Sequence, residues 1–470
     1  MNDSHPTFAV VGHPNKGKSS IVATLAEDDS VIISPDPGTT RRARSFRMRI
    51  DDQVLYELID TPGFQRPRST LAWLRDHERD ASARPAVVRE FVTAHERDDR
   101  FHDECELLRP ILEGAGILYV VDGAHPYGVE YEAEMEILRW TGQPRMALIN
   151  LIGPGDHIEE WRRALNQYFS IVRVFDAQRA DFARRLELLR AFRELGEGHA
   201  QWSTMLERAV TTLDRDRATR ARRAAAEIAD LLGDVLSAQE RAPATEGSDE
   251  ADISRRLGEQ LKTRIRQREQ QQRRAVQAIY HHAALAAQEQ QVDLLQEDLF
   301  SERSFAVFGM STAQLAVTGA ATGALTGGAI DLAVGGASLL IGAGVGAVLG
   351  GLGAVFGAGR LAKVQVLGTP LGGHRVIVGP ITSPNLPWVL LGRALLHQRL
   401  VAERNHAVRD ALVLDATAGT HLADAIDTGR RKRMAACFAR IREDGGLSAG
   451  DREALIGEIV GPLPVGQASA

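Results

Sequence analysis

A glycine-rich stretch near the N-terminus constrains the fold most. It reads GHPNKGKSS from Gly12 to Ser20 and fits the pattern G-x-x-x-x-G-K-[ST]. In that pattern the loop amides surround phosphates, a lysine reaches the terminal phosphates and a hydroxyl binds Mg²⁺. The apolar run TFAVVG precedes the loop and the run SSIVATLAE follows it, so the loop is predicted to join a strand to a helix N-terminus, which favours anions. The residues expected to bind the nucleotide here are Gly12, Asn15, Lys16, Gly17, Lys18, Ser19 and Ser20.

A second motif, LYELIDTPG, ends in Gly63 and supplies further groups for phosphate chemistry. Asp60 is positioned to support Mg²⁺ through water, and the Gly63 N–H to contact a γ-phosphate. Between the two motifs, PDPGTTRR has the composition of a mobile loop, with Thr39 and Thr40 as candidate Mg²⁺ ligands. At this spacing the loop is predicted to be a switch that orders around an intact γ-phosphate.

The segments GHPNKGKS, GTTR and DTPG together resemble the first three motifs of the translation-factor-related GTPases of the Era, EngA and TrmE type. The resemblance covers about residues 6 to 195 and implies GTP and Mg²⁺ as ligands. It implies that Thr40, rather than Thr39, binds Mg²⁺ together with Ser19 and Asp60. Lys18, Thr40 and Gly63 are the implied catalytic groups. It also implies that Asn15 helps to hold a K⁺ ion.

Phe64 occupies the position at which Ras-like proteins carry a water-orienting glutamine. A phenyl ring cannot orient water, so positive charge and water positioning must come from elsewhere. K⁺ beside Asn15 is one candidate, and a partner or second protomer that forms a homodimer through this domain is another. The alternative interpretation of Asn15 is a simple turn-former.

The base-recognition motifs depart from the pattern of these GTPases. RMALINLIG retains Asn150, but Leu151 and Gly153 replace the expected lysine and aspartate, and Asp156 is the nearest substitute. Unpaired buried donors on a guanine edge cost about 1 to 3 kcal/mol each. Guanine preference is therefore inferred mainly from the family resemblance. In the segment VRVFDAQ, the backbone of Ala177 is expected to contact the base.

Composition limits the remaining classes. The 470 residues predict two or more domains, and a net charge of -6 gives no global nucleic-acid signature. Cys105 and Cys437 are the only cysteines, which excludes a disulfide framework and suits a reducing cytoplasm. The start MNDSHPTF lacks the features of a secretory signal.

Alternating strands and helices predict a doubly wound, mostly parallel α/β P-loop domain over residues 1–195. Within it, the charged segment 65–113 is interpreted as helices that extend the second switch, with a solvated face. A mainly α-helical region follows. Its predicted parts are charged helices over 196–303 with a polar linker at Glu240–Glu250, a Gly-rich apolar hairpin over 304–359, and a small β-hairpin turning at Gly372–Gly373 followed by helices over 360–470.

Residues 304–359 contain one charged residue, Asp331, and 15 of the chain's 44 glycines. The apolar runs on either side of Asp331 are long enough to cross a bilayer. Glycines recur every four residues in both runs, as in closely packed membrane helices. Arg303 and Arg360 flank the segment, which places both ends in the cytoplasm. The pattern favours a membrane hairpin over a glycine-rich hairpin buried in a soluble domain.

Three functional hypotheses follow. The first is a Mg²⁺-dependent GTPase at the inner face of a bacterial membrane, with lipid as a partner. The second is an RNA or ribosome-assembly factor, favoured by the basic residues at 41–49 and the basic helix Gly429–Glu443. The third is a dynamin-like machine that remodels lipid. The full-length pattern resembles bacterial proteins that join such a GTPase domain to a C-terminal domain of unknown function.

Overall fold

The computed structural model describes residues 5–27, 42–51, 53–177, 179–180, 182–195, 200–244, 249–282, 295, 297–311, 314–315, 318, 360–366, 369–403 and 426–461. The chain divides into two compact units, built mainly from Met1–Arg217 and from Ala218–Ala402.

The first unit contains a six-stranded sheet with the order β2-β3-β1-β4-β5-β6. Its strands are β1 Thr7–Val11, β2 Arg44–Ile50, β3 Gln53–Asp60, β4 Gly116–Asp122, β5 Arg145–Asn150 and β6 Ile171–Val174. All neighbouring strands are parallel except the β2–β3 pair. The predicted doubly wound, mostly parallel sheet is confirmed.

The helices of the first unit cover the sheet. They are α1 Lys18–Ala26, α2 Pro67–Asp76, α3 Arg84–Ala94, α4 His102–Leu112, α5 Glu132–Trp140, α6 Ile158–Leu165, α7 Phe182–Leu195 and the first part of α8 Ala200–Ser237. Successive side chains of β1 point to opposite faces, so Phe8 and Val10 pack in one hydrophobic cluster while Ala9 and Val11 pack in another. Burial on both faces explains the continuous apolar runs of the central strands.

The charged segment 65–113 forms helices, as predicted, namely α2, α3 and α4. Each helix turns apolar side chains inward, with Leu74, Phe91 and Leu108 fully buried. Most of the charges lie on the outside, but Glu104 on α4 has no exposed surface. The interpretation of the segment as a solvated face therefore fails at this one carboxylate.

The second unit contains a three-stranded antiparallel sheet with the order β7-β9-β8, formed by β7 Glu240–Ala244, β8 Arg360–Val366 and β9 Thr369–Val378. The polar linker predicted at Glu240–Glu250 is thus wrong over its first half. The backbone of β7 pairs with β9, from Glu240 opposite Val378 to Ala244 opposite His374. This pairing satisfies the backbone of a strand with few apolar side chains, and an edge position tolerates its proline.

The predicted β-hairpin is present, but its turn lies elsewhere. Val366 pairs with Thr369, so the strands reverse between these residues, and Gly372–Gly373 lie inside β9. The prediction that the hairpin turns at Gly372–Gly373 is therefore wrong.

The core of the second unit is helical. Its helices are the remainder of α8, α9 Glu250–Ile279, α10 Glu302–Phe308, α11 Leu386–Glu403, α12 Thr428–Asp444 and α13 Ala449–Val460. The predicted apolar stripe of α9, Ile253, Leu257, Leu261 and Ile265, is buried. Trp388 on α11 is also buried and lies 5.2 Å from Phe438 between ring centroids, so it is a core residue.

Among the described residues, no helix combines the length and the apolarity needed to cross a bilayer. The predicted Gly-rich hairpin lies outside the described residues except for 304–311, 314–315 and 318.

Candidate functional site

The glycine-rich loop connects β1 to α1 and depends on unusual backbone angles. Gly12 and Gly17 have φ values of +142° and +81°, and Asn15 has +60°. A Cβ atom on Gly12 would lie 2.4 Å from the Val120 carbonyl oxygen, and one on Gly17 would lie 2.2 Å from Asn150 Nδ2. Only glycine fits at these two positions, whereas asparagine tolerates the left-handed region.

Lys18 begins α1 and its side chain lies back across the loop. The ammonium group donates hydrogen bonds to the carbonyl oxygens of Gly12 at 3.2 Å and His13 at 3.0 Å. Burial lowers the pKa of Lys18, while the nearby Asp60 and Glu134 carboxylates oppose this effect. Within the described residues the hydrogen bonds of the Lys18 ammonium group go to these two carbonyl groups, so a phosphate that enters the loop would supply a full counter-charge.

The predicted metal ligands are brought together from two motifs. Ser19 Oγ donates to Asp60 Oδ2 at 2.9 Å, joining the start of α1 to the end of β3. A hydroxyl and a carboxylate at this separation form the oxygen-rich donor set that Mg²⁺ prefers. The site therefore fits Mg²⁺. Thr39 and Thr40 lie outside the described residues.

The DTPG motif contacts the phosphate loop directly. A Cβ atom on Gly63 would lie 2.7 Å from the Pro14 ring, so the two backbones meet here. Phe64 has no exposed surface and belongs to the hydrophobic cluster on that side of the sheet. The ring is thus part of the core, in agreement with the argument that it cannot orient a water molecule.

The remaining predicted loop residues occupy less central positions. The Asn15 side chain is exposed. Lys16 places its ammonium group 3.9 Å from Asp122 Oδ2. Ser20 is buried in the first turn of α1. The positive φ of Asn15 agrees with a turn-forming role, and its interaction with K⁺ stays a prediction.

Asn150 joins two loops through its side-chain amide. Its Nδ2 donates to the Lys16 carbonyl at 3.3 Å, and its Oδ1 accepts from the Ala177 amide at 3.0 Å. Thr24 in α1 then donates to the Ala177 carbonyl at 2.8 Å. The residue thereby fixes the base-side loops against the phosphate loop.

Asp156, the nearest substitute for the missing guanine-binding carboxylate, lies elsewhere. It is exposed, and its Oδ1 accepts from the Ile158 amide at 3.3 Å at the start of α6. It directly precedes His157, the N-cap residue of α6.

Sequence reasoning missed a buried carboxylate next to the phosphate loop. Glu134 on α5 has no exposed surface and bonds to His13 Nδ1 at 2.8 Å and to the Tyr119 hydroxyl at 2.9 Å. Burial, and then Glu134, raises the pKa of Tyr119 well above its ordinary value, so its hydroxyl donates. A signal existed, because Glu134 occupies the apolar face that Ile137 and Leu138 define at spacings of three and four.

Two protein families match this chain. Residues 7–151 match the family described as 50S ribosome-binding GTPase, and residues 162–455 match a domain of unknown function, DUF3482.

Individual GTPases are similar to about a fifth to a quarter of the chain. GTPase Der from Rhodopirellula baltica is 39% identical over 102 residues, which are 21% of this chain and 22% of that protein. GTPase Era from Ureaplasma urealyticum is 34% identical over 113 residues, 24% of this chain and 37% of that protein. The chain therefore spans well under half the length of these relatives. A crystal structure of Aquifex aeolicus Era bound to GDP and AlF4⁻ aligns at 21% identity, covering 40% of this chain and 55% of that one, with a TM-score of 0.26.

The match to DUF3482 covers more than half of the 470 residues, and the three nucleotide motifs all fall within the residues that match the GTPase family. The protein therefore belongs to the DUF3482 family and carries, ahead of that domain, a P-loop GTPase domain of the 50S ribosome-binding GTPase family.

Proposed function

We propose that the protein binds guanine nucleotide with Mg²⁺ and hydrolyses GTP. The observation that carries this proposal is the Ser19–Asp60 hydrogen bond beside the Lys18 ammonium group. Lys18 and the loop amides would bind the phosphates, and Ser19 and Asp60 would hold the metal. Mg²⁺ would neutralise charge that develops on the phosphate oxygens. Gly63, which contacts the phosphate loop, would offer its N–H to the γ-phosphate.

Guanine specificity is supported by the names of the related GTPases and by the position of Asn150. We expect unlabelled GTP and GDP to displace a fluorescent GDP derivative, with ATP weaker by about 100-fold or more. Equal displacement by ATP would contradict the guanine proposal. Asp156→Asn is the matched variant, and it should leave the preference unchanged because Asp156 is exposed and bonds to the Ile158 amide. If the variant loses the preference, Asp156 reads the base instead.

We further propose that K⁺ held by Asn15 supplies the positive charge for hydrolysis. The burial of Phe64 supports a source of charge other than the residue after Gly63. The steady-state rate should be higher in K⁺ than in Na⁺, and Asn15→Gly should remove the difference because glycine keeps the left-handed backbone without the amide. Equal rates in the two salts would oppose this proposal. A rate per molecule that rises with protein concentration would favour a second protomer.

We also propose that the bound nucleotide, GTP or GDP, controls the state of the C-terminal region at the inner membrane surface. Its support is the sequence of 304–359, with a single charge and regularly spaced glycines. Full-length protein should float with liposomes, and protein lacking 304–359 should not. A difference between GDP and a non-hydrolysable GTP analogue would make flotation an output of the switch. Absence of flotation in every nucleotide state would contradict the membrane proposal.

A ribosomal or RNA partner is the second candidate. It is favoured by the exposed side chains of Arg47 and Arg49, which alternate with buried residues along the edge strand β2. Alternate residues of a strand share one face, so these charges lie together. Co-sedimentation with ribosomal particles that disappears in high salt would support this candidate over the membrane.

A further inference from the structure

Two carboxylates on helix α4 accept hydrogen bonds from backbone amides that lie just after two of the nucleotide motifs. Glu104 Oε1 accepts hydrogen bonds from the backbone amides of Gln65, at 2.9 Å, and Arg66, at 2.5 Å. Two residues further along α4, Glu106 Oε2 accepts from the Ala43 amide at 3.3 Å. Gln65 and Arg66 lie two and three residues after the end of the DTPG motif, and Ala43 lies two residues after the end of the GTTR segment. A single helix therefore contacts the exits of both predicted switch loops.

The Glu104 carboxylate is costly to bury, which argues for a specific role. The side chain has no exposed surface, and within the described part of the chain no donor lies in hydrogen-bond distance of Oε2. A buried carboxylate without a cation depends on the few hydrogen bonds that it accepts. Its two donors stand at the N-terminus of α2, where the orphan amides and the helix dipole favour a negative charge. Arg66, the N-cap residue of α2, makes no side-chain cap, and Glu104 bonds instead to the two amides that precede the first helical residue, Pro67.

Helix α4 is itself firmly held, so it can act as an anchor. Leu107, Leu108 and Ile111 on α4 have no exposed surface and pack in the same cluster as Ala9 and Val11 of the central strand β1. The carboxylate therefore projects from a rigid base to the chain segment that follows Gly63.

The amides that Glu104 holds are close in sequence to Gly63, the predicted γ-phosphate contact. Gln65 is two residues after Gly63, whose backbone touches Pro14 of the phosphate loop. The intervening Phe64 is locked in the core. Fixing the amides of Gln65 and Arg66 thus fixes the peptide group of Gly63.

We propose that Glu104 is a positioning residue that holds the Gly63–Arg66 backbone in the conformation that contacts the γ-phosphate. Glu106 ties the exit of the preceding loop to the same helix. This inference rests on the proposed GTPase function and adds the residue that allows the site to distinguish GTP from GDP. Glu104 touches neither nucleotide nor metal, and it acts through the backbone that it holds.

The test compares affinity for a non-hydrolysable GTP analogue with affinity for GDP. Glu104→Leu removes the acceptor but fills the buried space, and Glu104→Gln keeps one acceptor oxygen without the charge. We expect the Kd for the analogue to rise about tenfold in Glu104→Leu and less in Glu104→Gln. The Kd for GDP, which has no γ-phosphate, should change less than about twofold on the same argument. Glu90→Gln, an exposed carboxylate on α3, is the matched control and should change neither.

Thermal unfolding separates positioning from a purely structural role. Leucine removes the acceptor of the Gln65 and Arg66 amides, but it also removes a carboxylate that is costly to bury. These two effects oppose each other, so the Tm should stay close to that of the wild type. Equal weakening of GDP and analogue, or a change no larger than in Glu90→Gln, would overturn the inference while leaving the GTPase proposal intact. Failure of the wild type to bind either nucleotide would overturn both.

Hydrogen exchange provides a measurement that needs no variant. In the wild type, the amides of Gln65 and Arg66 should exchange more slowly with the GTP analogue than with GDP. Equal exchange in the two states would contradict a conformation selected by the γ-phosphate.

Discussion

Replacement of Lys18 by alanine is expected to lower the rate of GTP hydrolysis by about 10² to 10³-fold. The ammonium group is held over the loop by the carbonyl oxygens of Gly12 and His13 and therefore stands ready for the terminal phosphates. Lys16→Ala is the matched control, because it removes a lysine from the same loop whose ammonium group lies near Asp122 instead. Its rate should stay within about tenfold of the wild type on the same scale. Equal losses in the two variants would show that loop charge, rather than the Lys18 position, is what matters.

The depressed pKa of Lys18 adds a second readout. Burial lowers this pKa in the nucleotide-free protein, and bound phosphates favour the protonated form. Nucleotide binding should therefore take up protons, and the uptake should increase as the pH rises toward the lysine pKa. Calorimetric titration in two buffers of different ionisation enthalpy measures this uptake. Lys18→Ala should lose it, and uptake that persists in the variant would assign the proton to another group.

Replacement of Arg393 by methionine is expected to destabilise the second unit by about 3 kcal/mol. The Arg393 side chain is 2% exposed and donates to Glu269 Oε1 at 2.7 Å, to Ser304 Oγ at 3.0 Å and to the Leu295 carbonyl at 3.0 Å. Methionine fills the volume but leaves Glu269 with Arg273 alone. Denaturant unfolding measures the loss. Arg255→Met breaks only an exposed ion pair with Asp252 and should change stability by less than about 1 kcal/mol.

The pH dependence of this buried pair has a defined sign. Burial raises the pKa of Glu269, but Arg273 and Arg393 reverse this and hold it below its ordinary value. The stabilisation is therefore present above the unfolded-state pKa and is lost as the pH falls through the lower folded-state pKa. Arg393→Met should reduce the steepness of acid unfolding. If the variant and the wild type unfold in parallel at acidic pH, Glu269 does not depend on Arg393.

Short sequence patterns were sufficient to predict the strands and the phosphate loop of the first unit. The run TFAVVG predicted a strand because a parallel strand covered on both faces must be apolar throughout, and the same rule explains the apolar sequence GILYVVD of β4. The loop that starts at Gly12 was predictable because its backbone adopts positive φ angles and close contacts that only glycine allows at Gly12 and Gly17. Asn150 was identified from its place in the segment RMALINLIG, where it is the last residue of β5, and its side chain bonds to the backbone of both Lys16 and Ala177.

Other features depend on contacts that no local pattern contains. The polar composition of β7 concealed a strand whose partner lies about 130 residues further along the chain. Glu104 was grouped with the solvated charges, although it shares the apolar face of Leu107, Leu108 and Ile111 at spacings of three, four and seven. The carboxylates of Glu104 and Glu134 were missed because their donors, Gln65 and His13, lie on other elements.

The pairing of β7 with β9 has a consequence for synthesis of the protein. On the ribosome, β7 emerges before its partner by the time needed to add about 130 residues, which is on the order of ten seconds. Throughout that interval the nascent strand exposes unpaired amides and carbonyl groups, the condition under which chains associate wrongly. Glu240, Arg241 and Pro243 are the residue types that discourage such association. The polar composition that concealed this strand in the sequence therefore also protects the nascent chain until β9 has been translated.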